Sequence, residues 1–134
     1  MQQFIEESIT RQFKAIFPNT LNANGTLFGG EALRWMDEVA YITATRFTRQ
    51  RMFTVSTNDV KFLHTISPNS VVEVVGYVEK AEAVRLTVKV VMFVEEMYGF
   101  DKKKAVEATF IFAALGENNR PQRIRYPFDL EKLK

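Results

Sequence analysis

The chain has 134 residues, of which 46% are hydrophobic and 25% charged, with a formal net charge of +2, one His and no Cys. A chain of this length reads as a single domain, 1–134, able to bury about two-thirds of its surface without staples. The composition excludes a disulfide framework, a thiolate nucleophile and a zinc site built on several His or Cys ligands, and the interspersed charges argue against a nucleic-acid surface.

The chain opens Met1-Gln2-Gln3-Phe4-Ile5-Glu6-Glu7, without the basic and apolar regions of a signal peptide. No apolar run approaches the ~20 residues of a membrane span, so no membrane association and a cytoplasmic location are expected. Residues 9–17 alternate mostly with period two and predict a strand that ends at Pro18-Asn19. Residues 18–30 form a polar loop ending in Gly29-Gly30. Residues 31–47 predict one long helix: Leu33, Met36, Ala40, Ala44 and Phe47 recur at helical spacing. Trp35, Val39 and Ile42 widen the stripe until the helix reads as buried nearly all round.

Strands are predicted over 53–63, 70–79, 84–94 and 105–115. The Val84–Val90 stretch alternates as a strand with one wet face does. Turns fall at 67–69, 82–83 and 97–103, and the tail from about 117 reads as peripheral. One helix followed by antiparallel strands is an α+β pattern, with the sheet wrapped around the helix. The open face and edges of such a sheet call for self-association.

Asp37 is anomalous in a helix that reads as buried, because a buried carboxylate needs a partner. Either Asp37 and Glu38 share a solvent-facing strip, or Asp37 sits in a cleft and acts on water or a carbonyl. Gly29-Gly30 leaves free N–H groups at a helix start, which suits an oxyanion; it also suits a plain turn. Asn22 and Asn24 are loop amides, fit either to orient a water or to form turns. His64 has no evident partner and reads as a surface histidine. Arg85, on the polar side of an alternating run, either meets a phosphate or faces solvent.

The segment Phe17-Pro18-Asn19-Thr20-Leu21-Asn22-Ala23-Asn24-Gly25-Thr26-Leu27-Phe28-Gly29-Gly30-Glu31-Ala32-Leu33-Arg34-Trp35-Met36-Asp37-Glu38 resembles the signature of the acyl-CoA hydrolase family of hotdog thioesterases. An Asn three residues before a Gly, then Gly-Gly and an Asp seven residues on, stand in that family's register. Looser similarity runs through Thr54-Val55-Ser56 and Val60-Lys61-Phe62-Leu63, covering roughly residues 8–115.

The resemblance implies a hotdog fold, a long central helix wrapped by a curved antiparallel sheet of five to six strands. It implies an acyl-CoA thioester hydrolase working without a cofactor, coenzyme A being part of the substrate. It also implies at least a homodimer, or a tetramer or hexamer, with active sites shared between subunits. It assigns Asp37 as general base or nucleophile, Asn22 as its amide partner, and the Gly30 N–H as the group that polarises the carbonyl. Substrate contacts are expected from Gly29, Ser56 and an apolar tunnel of Trp35, Met36 and Phe62. Where the family has Arg-Pro after Phe-Leu, this chain has His64-Thr65. Glu82-Ala83-Val84-Arg85 replaces a Gly-Arg-Thr-Ser-like stretch that helps hold the carrier, and Arg85 or Lys61 is expected to substitute. The alternative reading is a non-catalytic protein binding acyl-CoA or acyl carrier protein.

Overall fold

The computed structural model describes residues 1–130. Its elements run α1 (Gln2–Ser8), β1 (Thr10–Ala15), a 3-10 turn over Pro18–Thr20, α2 (Gly29–Thr48), β2 (Met52–Phe62), β3 (Ser70–Ala81), β4 (Leu86–Glu96), β5 (Lys102–Leu115) and β6 (Pro121–Gln122). The strands form one antiparallel sheet of six, ordered β1-β3-β4-β5-β2, with β6 added alongside β5. This is the long helix and curled sheet of the hotdog fold expected from the sequence.

Period-two patterning explains how β4 sits on the helix. Leu86, Val88, Val90 and Met92 are fully buried, while Thr87, Lys89 and Phe93 alternate with them on the other face. Against this apolar layer lies one side of α2, through Ala32, Trp35, Met36, Val39, Ala40, Thr43, Ala44 and Phe47. Close approach requires Gly76 on β3. A Cβ there would meet Thr43 Oγ1 at 2.6 Å and Val39 Cγ1 at 2.9 Å. The Thr43 hydroxyl, turned to the sheet, donates to the Val39 carbonyl at 2.8 Å and leaves no unpaired polar group there.

Three expectations change. The helix is not buried all round: Gly30, Arg34, Asp37, Glu38 and Tyr41 form an exposed strip at helical spacing. The short helix α1 was not foreseen. Arg46 ties it down, donating to the Glu7 carbonyl at 2.6 Å and the Ile9 carbonyl at 2.9 Å. The tail is peripheral only at first. Ile124 is buried, the Tyr126 hydroxyl donates to the Glu82 carbonyl at 2.7 Å, and the Tyr126 and Phe128 rings stack and pack edge-on against Phe47. Among the described residues, no helix is long and apolar enough to cross a membrane.

The sheet's outer face is partly covered by long charged side chains. Glu73, nearly buried there, meets Lys102 at 2.6 Å and Arg11 at 3.6 Å. Glu107 gathers Lys104 at 2.9 Å, Lys89 at 3.7 Å and Lys61 at 3.8 Å. The Lys104 bond, ahead of the other lysines, holds its carboxyl below the usual range. The edge strand β2 is largely exposed, including Val55 and Phe62.

Candidate active site

The loop before α2 is organised by one side chain. Asn22 Oδ1 accepts from the backbone N–H groups of Asn24 at 2.9 Å and Thr26 at 3.2 Å, and its amide donates to Thr26 Oγ1 at 3.0 Å. An Asn bonded to the backbone two residues on is an Asx turn, the local competitor of regular structure. The turn closes with Gly25 at φ 74, where glycine is at ease. Asn22 therefore builds the loop and still lines a cavity of about 370 Å³ with Gly29, Phe62, His64 and Ile66. Asn24 is exposed and lines none of it.

The helix begins without a cap. Phe28 at the N-cap offers no side-chain acceptor, while the Phe28 carbonyl takes the N–H groups of Glu31 and Ala32 at 3.0 and 3.1 Å. The N–H groups of Gly29 and Gly30 precede any intrahelical partner, and the positive end of the helix dipole lies behind them. Neither glycine has a positive φ. A Cβ on Gly30 would stand 2.7 Å from Cε1 of the exposed Phe28 ring, which would have to shift, while one on Gly29 would make ordinary contact with Phe62 at 3.5 Å. Glu31 is in that first turn, its carboxyl held below the usual range by the hydrogen bond from Arg34 at 2.7 Å.

Asp37 lies seven residues after Gly30, two turns on and on the same exposed strip, about 10 Å along the axis at 1.5 Å per residue. It is exposed in the protomer and shares with Glu38 the solvent-facing strip that was one of the two readings of the sequence. Its Oδ1 accepts from the Thr54 hydroxyl at 3.2 Å. Thr54 sits where β2 slips against β5: Thr54 faces Phe112 and Ser56 faces Ile111, so Val55 is an extra residue. Such bulges re-aim neighbouring side chains and gather near functional sites. Sequence reading did not single out Thr54. Its signal was confined to the Thr54-Val55-Ser56 match, and the bulge that aims it is a tertiary feature.

The remaining expected residues divide. Gly29 and Phe62 line the cavity, joined by His64, which is exposed as expected. Trp35 and Met36 do not line it; both are core residues, Met36 wholly inaccessible, with Lys14 Nζ 5.2 Å above the Trp35 ring. Ser56 is half-buried and accepts from the Asn58 amide at 3.2 Å. Lys61 faces Glu107 on the outer sheet face. Arg85 donates to the Val84 carbonyl at 3.2 Å, at the far end of β4 from the cavity. Among the described residues, no three His, Asp or Glu groups gather as a metal site would require.

Residues 24–99, more than half of the chain, match the family model described as thioesterase superfamily. The chain belongs to the thioesterase superfamily. Within it, the chain is 29% identical over 119 residues to the uncharacterized acyl-CoA thioester hydrolase YkhA of Bacillus subtilis, covering 89% of this chain and 69% of that one. A solved acyl-CoA hydrolase from Bacillus cereus superposes with a TM-score of 0.84 at 31% identity, over 96% of this chain and 80% of the other. The Staphylococcus aureus acyl-CoA hydrolase, solved with butyryl coenzyme A and coenzyme A, gives 0.84 at 26% identity over 96% and 80%. A hexameric broad-specificity acyl-coenzyme A thioesterase gives 0.81 at 27% identity over 90% and 91%. In the S. aureus enzyme, alanine variants were solved at an Asn, at an Asp fifteen residues on and at a Thr seventeen further. Asn22, Asp37 and Thr54 stand at the same intervals.

Proposed function

We propose that this thioester hydrolase acts on acyl-CoA, releasing a carboxylic acid and free coenzyme A. The observation that carries the reading is the Thr54–Asp37 hydrogen bond, on one helical strip with the uncapped Gly30 end of α2. A carboxylate fixed by a hydroxyl is oriented to take a proton from water or to attack a carbonyl. Free N–H groups at a helix start stabilise the oxyanion that forms as the thioester is attacked. The matching intervals of Asn22, Asp37 and Thr54 with the S. aureus variants support the same three residues.

In this reading one protomer does not complete the site. Gly30 and Asp37 are about 10 Å apart, too far to act on one carbonyl directly. The exposed edge β2 invites a second copy, whose Asp37 would come beside this protomer's Asn22–Gly29 cavity and the neighbouring Gly30 N–H. The hexameric relative supports self-association. Phe62 and Gly29 then border the entry of the acyl chain, Asn22 positions the water, and no cofactor takes part. The protein works in the cytoplasm.

The test is thiol release from a panel of acyl-CoAs, acetyl to palmitoyl, by wild type and Asp37→Asn. Wild-type release with the variant reduced about 10²- to 10⁴-fold is expected. Undiminished turnover by the variant on every chain length removes Asp37 from the reaction. Acyl-CoA binding without thiol release by wild type would instead favour a binding protein.

A further inference from the structure

Of the two basic residues expected to hold the carrier, Lys61 reaches Glu107 across the outer sheet face at 3.8 Å, and Arg85 donates to the Val84 carbonyl at 3.2 Å. A larger group of basic side chains lies at the far end of α2. There a cavity of about 370 Å³ is lined by Arg49, Arg51 and Arg125, with Gly116, Glu117 and Gln122 beside them. Three arginines and one glutamate line it, a formal excess of two positive charges. Among the described residues, the Arg49 and Arg125 side chains have neither an acidic partner nor a hydrogen bond. Arg51 donates only to the Asn119 amide oxygen, at 3.3 Å.

The cavity walls are fixed. The Gln50 side chain donates to the Arg125 carbonyl at 2.7 Å and accepts from the Arg125 N–H at 3.0 Å, holding the tail across the end of the helix. Arg49 itself has a left-handed backbone at φ 53, a helix-end position that glycine or asparagine fills most easily. The carbonyl end of α2 favours the arginines and opposes an anion, so any phosphate must be held by guanidinium forks, whose planar donors match phosphate oxygens.

We propose that this arginine cavity binds the phosphate groups of the nucleotide that carries the thioester, and that it serves the partner's catalytic cavity. The inference rests on the acyl-CoA reading and on pairing through β2. Arg51 precedes β2 and Phe62 ends it, about 35 Å apart at strand rise, too far for one substrate to link the two cavities of one protomer. Antiparallel pairing of two β2 edges lays the Arg51 end of one strand beside the Phe62 end of the other. The thioester then enters one protomer's Asn22–Gly29 cavity while its phosphates meet the partner's arginines.

The experiment compares butyryl-CoA with butyryl-N-acetylcysteamine, which offers the same thioester without phosphates, in wild type, Arg51→Ala, Arg125→Ala and Arg51→Lys. The proposal expects KM for butyryl-CoA to rise about ten- to hundredfold in the alanine variants. The preference for the CoA ester over the truncated one falls in parallel, and Arg51→Lys recovers part of it. Equal losses on both esters, or no change in KM, overturn the assignment. Adenosine 3′,5′-bisphosphate should compete with butyryl-CoA in wild type and weakly in the variants. Inorganic pyrophosphate competing equally well would mark a free-anion site and also overturn the proposal. If wild type hydrolyses neither ester, the acyl-CoA reading fails on its own. Calorimetric titration with the bisphosphate then decides the cavity: binding lost in Arg51→Ala sustains it, and no binding to wild type sinks it.

Discussion

Asp37 acts, in the proposed mechanism, through a geometry its neighbours set. Thr54 donates to it across 3.2 Å, from a strand position that a bulge has turned. Removing the hydroxyl leaves the carboxylate in place but free to rotate. Thr54→Val is therefore expected to lower kcat about ten- to hundredfold with KM nearly constant, the loss of one hydrogen bond to a charged group. A rise in KM at unchanged kcat would show that Thr54 binds substrate instead. Gly76 is a purely structural counterpart. Its missing Cβ lets α2 lie against β3, with Thr43 Oγ1 and Val39 Cγ1 already inside 3.0 Å of where that atom would be. Gly76→Ala should lower stability by about 1–3 kcal/mol, read from the denaturant midpoint, because both neighbours are buried and packed.

At the scale of elements, the tail is the part the sequence understated. The turn-rich stretch Asn118-Asn119-Arg120-Pro121 makes the tail from about 117 read as peripheral, although Ile124, Tyr126 and Phe128 alternate with Arg125, Pro127 and Asp129 beyond it. Its docking depends on partners far away in the chain: Phe4 on α1, Phe47 on α2, and the Glu82 carbonyl. Burial, ahead of the nearby Glu82 charge, pushes the Tyr126 phenol up to about 12 from an ordinary 10.0. In the fold this group keeps its proton at a pH where the unfolded chain has lost it. The stability linked to it is complete below pH 10.0 and is lost as pH rises towards about 12. Thermal melts across that range should show a steeper loss for wild type than for Tyr126→Phe; parallel curves would mean the phenol is not what titrates. The helix shows the opposite case. Its existence and length were plain from the 3.6-residue period, and 31–47 was observed as Gly29–Thr48. Its environment was only partly legible: Leu33 and Ile42, counted in the apolar stripe, are half-buried, while Trp35, Met36 and Val39 are buried in the core.

For the whole molecule, the exposed edge of β2 and the strip Gly30–Arg34–Asp37–Tyr41 lie on the surface that the proposed site needs a second copy to complete. A charge set into that edge, Val55→Glu, should shift the assembly to smaller species in light scattering and lower thiol release with it. Full activity in a verified monomer would refute a shared site.

The sequence by itself determined the fold class, the order of the long helix and the five main strands, and the register of Asn22, Gly29-Gly30 and Asp37, since periodicity and fixed local spacing are properties of neighbouring residues. It also offered Arg85 or Lys61 as carrier contacts where the family's carrier-holding stretch is replaced; neither lines the Asn22 cavity of its own protomer. The tertiary structure decided what depends on residues distant in the chain. It put Thr54 on Asp37, seventeen residues away, by means of a bulge, left Asp37 open at the protomer surface, and brought Arg49, Arg51 and Arg125 around one cavity. A side chain's direction and its company follow from packing, and no window of sequence contains both partners of such a contact.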